Sequence, residues 1–324
     1  MPAIEAVRLE REFKGAVKAV DGVDLAIEAG EVYGFLGPNG AGKTTMVRML
    51  VTLLRPTGGH ARVAGHDVAA EPDAVRRRIG VALQEAALDP LMSGRELIEL
   101  QAKLHGLAPE AVRPRAAALI ERVGLVEARD RRVATYSGGM RRRLDLAMAL
   151  IHQPEVLFLD EPTTGLDPVS RLTLWEEVRR LKDEGTTVFL TTQYLEEADQ
   201  LADRVGIINA GRLVTEGTPA ALKAQVGKPH LEIELADGAD RGRALEVMTA
   251  FGDASRPPLE GFDVSVTLDA GASQIAGIVR ALDDAGFIVA SLELVQPTLD
   301  DVFVEQTGRH LEGAGDRPEA ELPA

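Results

Sequence analysis

An apolar run, Val32-Tyr33-Gly34-Phe35-Leu36, passes directly into Gly37-Pro38-Asn39-Gly40-Ala41-Gly42-Lys43-Thr44, and a helical pattern from about Gly42 to Leu54 follows. This order of strand, glycine-rich loop and helix constrains the fold more than any other feature of the chain, because each part needs the other two. The glycines let main-chain N–H groups close around a β-phosphate, and the helix N-terminus behind them favours the anion. Lys43 is placed to reach the β- and γ-phosphates and the Thr44 hydroxyl to bind Mg²⁺, with Thr45 next to it on the helix.

A second glycine turn lies far downstream. Tyr136-Ser137-Gly138-Gly139-Met140 opens a basic helix, which leads to the apolar strand Val156-Leu157-Phe158-Leu159 ending in Asp160-Glu161-Pro162. Taken alone, Ser137 is a helix N-cap. Yet its hydroxyl and the bare amides of the turn duplicate the phosphate-binding device of the first loop, and one chain has no evident need of two. Asp160, at the strand end, can hold the magnesium shell, and Glu161, one residue on, can polarise an attacking water. Gln84, after the strand Ile79 to Leu83, can meet both the metal and a partner protein, although a glutamine at a strand end is more often just polar. Asp167, in Gly165-Leu166-Asp167, reads as the N-cap of a helix that Pro168 opens. By composition Phe13 is ordinary core.

Strand and helix patterns alternate around these motifs: Val156 to Leu159, a helix over about Ser170 to Lys182, Val188 to Leu190, a helix over Leu195 to Leu201, and Val205 to Ile208. Such alternation implies a parallel sheet covered by helices. From about Ser93 to Val133 the spacing is helical, an insert between sheet strands. Gln225 to Pro229 reads as a linker, and beyond it two strand–helix–strand halves predict a small α+β domain. Gly313 to Ala324, poor in apolar residues, is expected to be disordered. Charge follows the same division. Of the formal −15, a balance of −13 falls from Pro229 onward, where 19 acidic side chains face 6 basic ones. A surface of that sign argues against nucleic acid. There is no run of about 18 apolar residues and no basic-then-apolar leader at the start, so neither a membrane span nor export by a signal peptide is expected. The absence of cysteine excludes disulfides and thiolate metal sites, and six scattered histidines suggest no zinc centre.

In their order along the chain the motifs resemble the ATP-binding cassette ATPases, over roughly residues 4 to 220. The resemblance implies an α/β P-loop fold with a RecA-like parallel sheet core, an antiparallel β subdomain and an α-helical subdomain, followed by the small C-terminal α+β domain. It implies a cassette over 1–224 with its helical part at about 93–153, a linker at 225–230, an accessory domain over 231–312 and a tail from 313 to 324. It also resolves the duplicated device, because in such ATPases two cassettes pair head to tail. Ser137, Gly138, Gly139 and Met140 then serve the partner's ATP, while Gly37 to Thr45 hold this chain's own. The resemblance further implies that Phe13 stacks on adenine, that Thr44, Gln84 and Asp160 hold Mg²⁺, that Asp167 belongs to the D-loop, and that Glu161 and Gln193 are catalytic.

Two departures narrow the resemblance. The signature reads Tyr-Ser-Gly-Gly-Met where Leu-Ser-Gly-Gly-Gln is usual, and Thr191-Thr192-Gln193-Tyr194 has glutamine where a switch histidine usually stands. Both features, and Pro297-Thr298-Leu299-Asp300-Asp301-Val302-Phe303 near the end, are similar to the daunorubicin/doxorubicin-resistance type of exporter ATPase. Glutamine can hydrogen-bond a γ-phosphate but cannot titrate near neutral pH, so Gln193 is expected to sense phosphate and Glu161 to be the base. The function implied is an ATP-hydrolysing homodimer at the cytoplasmic face of the membrane, driving a separate permease that exports a hydrophobic drug, antibiotic or lipid-like compound. The rival from another class is a soluble regulatory cassette of the translation or DNA-repair type. Such proteins usually carry two cassettes in one chain or a long coiled-coil insert, and neither is present. For the C-terminal domain, dimer contact is favoured over permease contact or ligand sensing.

Overall fold

Alternating inward apolar residues build a hairpin before the glycine loop is reached. Strands β1 (Ile4–Phe13) and β2 (Val17–Ile27) pair antiparallel, with Ile4 opposite Ile27 and Phe13 opposite Val17. Ile4, Ala6, Leu9, Val20, Val23, Leu25 and Ile27 turn inward. The next strand, β3 (Val32–Leu36), is buried at every position, as a central strand covered on both faces must be. It delivers the chain to helix α1 (Lys43–Leu50); β4 (Gly58–Val63) and β5 (His66–Asp67) then join the hairpin in a sheet of order β2-β1-β4-β5. The computed structural model describes residues 2–84, 88–236, 239–255, 263–269 and 271–310.

After α2 (Pro72–Arg76) and β6 (Ile79–Ala82) the chain enters the helical insert: α3 (Gly94–Leu104), α4 (Pro109–Arg122) and α5 (Gly138–Ala149). A capping box fixes the start of α3, where Ser93 and Glu96 satisfy each other's main-chain N–H. The chain returns through β7 (Val156–Asp160), α6 (Pro168–Asp183), β8 (Thr187–Thr192), α7 (Leu195–Leu201), β9 (Arg204–Asn209) and β10 (Arg212–Gly217). These strands and β3 form a sheet of order β10-β9-β3-β8-β7-β6, parallel apart from the β9–β10 pair. One core joins this sheet to the hairpin sheet, where the Phe35 and Phe158 rings lie 5.5 and 5.6 Å from Phe189 beside Ile4, Leu9 and Met46. Another joins the sheet's far side to α5, α6 and the insert through Leu144, Trp175, Val178 and Leu190.

By its contacts the chain divides into two compact units, Met1–Pro219 and Ala220–His310. Helix α8 (Pro219–Val226) carries helical backbone into the first residues read as linker. The second unit contains β11 (His230–Leu235), α9 (Arg241–Met248), β12 (Ala254–Ser255), β13 (Val264–Thr267), α10 (Ile275–Asp284), β14 (Val289–Val295) and α11 (Leu299–Thr307). Its sheet is antiparallel, in the order β12-β13-β11-β14. Leu231, Ile233 and Leu235 alternate inward against Met248, Ile278 and Leu282, giving this unit a core of its own. Residues 313–324, expected to be disordered, lie outside the described residues.

Candidate nucleotide site

Register places the phosphate loop. Leu36 of β3 pairs with Thr192 of β8, and Gly37 N donates to Thr192 O at 3.3 Å, so the loop starts beside the residue preceding Gln193. Gly42 caps α1 with φ of 108°, and a Cβ there would lie 2.2 Å from Ala19 O on β2. Glycine is required at this position both by dihedral and by space. The same strand runs back to Val17, opposite Phe13, which is 40% exposed with the Arg11 guanidinium 4.7 Å from its ring. Phe13 is therefore a half-exposed aromatic at a hairpin end and not the core residue that composition alone suggests.

Lys43 is buried, its Nζ donating to Gly37 O at 2.7 Å and Pro38 O at 3.1 Å and lying 3.2 Å from Glu161 Oε1. Asp160, 1% exposed at the end of β7, accepts from Thr191 Oγ1 at 2.5 Å and Thr44 Oγ1 at 3.3 Å through Oδ1. Its buried Oδ2 has no hydrogen-bond partner among the described residues. An orphaned carboxylate oxygen beside a threonine hydroxyl fits a hard divalent cation, which would supply the missing partner. Gln84 Nε2 donates to Glu161 Oε2 at 3.4 Å, so both side chains assigned to the reacting end meet. Gln193, half-buried, follows β8 directly.

Glu161 takes φ of 46°, where side chains other than glycine are uncommon. Its N donates to both Thr191 O and Thr191 Oγ1 at 3.1 Å. Sequence reasoning missed Thr191, which orients Asp160 and Glu161 together; a threonine inside a buried strand carries no motif. The turn at Ser137 lies elsewhere. Ser137 Oγ caps α5 by accepting from Met140 N at 3.2 Å, and a Cβ on Gly139 would fall 2.5 Å from Ser170 Oγ. Asp167 caps α6, accepting from Ser170 N at 2.9 Å and Ser170 Oγ at 2.6 Å, and these bonds hold its carboxyl below the usual carboxylate range. The signature turn is thus packed against the Asp167 loop through Ser170, a residue the sequence did not single out. Gly138 has open space above it.

Known families match both units of the chain. The family described as ABC transporter matches residues 20–164, and the C-terminal domain of DrrA1-3-like ATP-binding proteins matches residues 217–307. The daunorubicin resistance ATP-binding protein DrrA3 of Streptomyces coeruleorubidus is 50% identical over 91% of this chain and 92% of its own length. The daunorubicin/doxorubicin resistance ATP-binding protein DrrA of Streptomyces peucetius is 48% identical over 94% of this chain and 92% of its own. Among solved structures, a dimeric ATP-binding cassette in a post-hydrolysis state with ADP and phosphate superposes with a TM-score of 0.62 at 25% identity, covering 66% of this chain and 98% of that one. Relatives of this kind favour an exporter subunit over the soluble regulatory cassette. A phosphate loop facing an acidic strand, followed by a second unit of the DrrA type, therefore places this chain: it belongs to the ABC transporter ATP-binding proteins, in the group of daunorubicin/doxorubicin resistance ATPases.

Proposed function

We propose that two copies of this chain bind ATP with Mg²⁺, close on each other and drive a separate integral membrane permease from the cytoplasmic face, exporting a hydrophobic drug, antibiotic or lipid-like compound. The observation that carries the reading is the placement of Glu161 against Lys43 at the phosphate loop, 3.2 Å apart. A γ-phosphate competes for that ammonium; once Lys43 turns to it, the Glu161 carboxylate is released to accept a proton. The proton comes from the water whose oxygen attacks the γ-phosphorus, while the bond to the β-bridging oxygen breaks and its electrons leave on ADP. Thr44, Asp160 and Gln84 would hold Mg²⁺, which when bound neutralises phosphate charge. Gln193 donates to a γ-oxygen without exchanging a proton. Ser137, Gly138, Gly139 and Met140 offer their hydroxyl and amides to the partner's ATP, and Phe13 offers its ring to adenine.

Support for the exporter comes from the drug-resistance relatives, and among the described residues no helix is long and apolar enough to cross a membrane. The acidic C-terminal domain, over about 231–312, we assign to contact between copies. Glu161→Gln is expected to lower ATP turnover about 10²-fold or more while ATP still binds. Turnover at the wild-type rate in Glu161→Gln, with none in Gln193→Ala, reverses these roles. A chain that never co-purifies with a membrane protein, yet binds ribosomes or DNA, sinks the exporter reading.

A further inference from the structure

Arg142, on the second turn of α5, is 8% exposed, and its guanidinium spends its donors on main chain. Nε donates to Pro162 O at 2.9 Å, Nη2 to Asp160 O at 2.9 Å, and Nη1 to Leu83 O at 2.5 Å and to Asp145 Oδ2 at 3.3 Å. Neutralising a buried cation needs the Asp145 carboxylate alone. Three carbonyls from two chain segments go beyond that need. One segment is the end of β7, where the two carbonyls flank Glu161 and its φ of 46°. Such backbone persists only where its surroundings over-determine it. The other segment ends at Leu83, next to Gln84, whose amide meets Glu161 Oε2. One planar fork therefore fixes both main-chain segments whose side chains touch at the reacting end.

We propose that Arg142 is a positioning residue for ATP hydrolysis: it holds the Asp160–Pro162 and Leu83–Gln84 backbones in register and so aims Glu161 from the helix that Ser137 caps. The inference rests on hydrolysis at this site with Glu161 as its base. A lysine in the same place is a point charge whose donors cannot reach three carbonyls at fixed angles. Among the described residues, Asp145, by contrast, hydrogen-bonds the guanidinium and no group of the acidic strand.

The test is steady-state ATP hydrolysis by the full-length protein, with ATP affinity from equilibrium dialysis and the thermal midpoint measured beside it. In Arg142→Lys, kcat is expected to fall about tenfold or more, with KM and ATP affinity within about twofold of wild type. Asp145→Asn is expected to lower the midpoint and keep kcat within about twofold of wild type. The double variant Arg142→Met with Asp145→Leu removes both charges together, so its midpoint is expected to recover while kcat stays low. A double variant with wild-type kcat, or an Asp145→Asn whose kcat falls as far as that of Arg142→Lys, overturns the proposal in favour of a purely structural ion pair. Glu161→Gln, run in the same assay, decides the base separately, since its turnover does not depend on whether Arg142→Lys splits kcat from KM.

Discussion

Gln193 brings an amide to the place where the family usually keeps an imidazole, and the difference has a measurable sign. An amide has no proton to lose near neutral pH, so the proposed γ-phosphate contact would contribute no acid limb to turnover. Gln193→His introduces a group with an ordinary pKa of about 6.5, and kcat is expected to gain a limb between about pH 6 and 7 that the wild type lacks. Superimposable pH profiles of the two proteins would refute an interaction between position 193 and the reacting phosphate. At this scale the sequence was legible wherever a residue belongs to a fixed spacing, as Lys43, Thr44, Asp160 and Glu161 do. It was illegible at Arg142, one of three consecutive arginines of identical chemistry in the sequence. Folding separates them: Arg141 donates to Tyr136 O, Arg143 to Val123 O, and only Arg142 turns in to the acidic strand.

Between elements, the clearest titratable device is the stack of His105, at the end of α3, on His152, just past α5, with ring centroids 3.9 Å apart and planes at 6°. The His152 Nε2 donates to Ile79 O at 3.0 Å. Burial first, then the neighbouring His105, brings the His152 pKa down to about 4. Arg76, Gln101 and Asp145 line the same cavity, and burial raises Asp145 to about 6. A lowered histidine contributes stability that is present above its unfolded pKa and lost as pH falls from about 6.5 toward 4. Asp145 acts in the opposite sense, because protonation in acid relieves its burial. His152→Gln, which keeps a donor for Ile79 O, is therefore expected to lose less of its thermal midpoint than the wild type between about pH 7 and 5. Parallel midpoint curves would show that the imidazole is not held neutral by the fold. Elements with a one-sided or continuous apolar pattern, such as β3, β7 and α7, were readable in advance. Strand β10 was not, since Arg212, Thr215 and Glu216 look like loop and become strand only by pairing at the edge with β9.

Across the whole molecule, the first unit holds the two cores on either side of its large sheet and the second unit a third of its own, which predicts two cooperative units. Leu282, 1% exposed in the second unit's core, offers a local probe. Leu282→Ala is expected to cost that unit about 2–5 kcal/mol, lowering one calorimetric transition while ATP affinity holds. A single transition that moves as a whole, with ATP binding lost alongside, would show one cooperative body instead. The order of strands in the larger sheet also sets a timetable. Strand β3 carries the phosphate loop and is made early, yet its two neighbours are β8 and β9, far downstream. Contacts between distant segments form late, and on a ribosome they wait for synthesis as well. A nascent chain that already displays the loop, the signature turn and the acidic strand still leaves β3 without either flank. Its seat for nucleotide closes only after Asn209 has emerged, so the first motif to be translated is among the last to become competent.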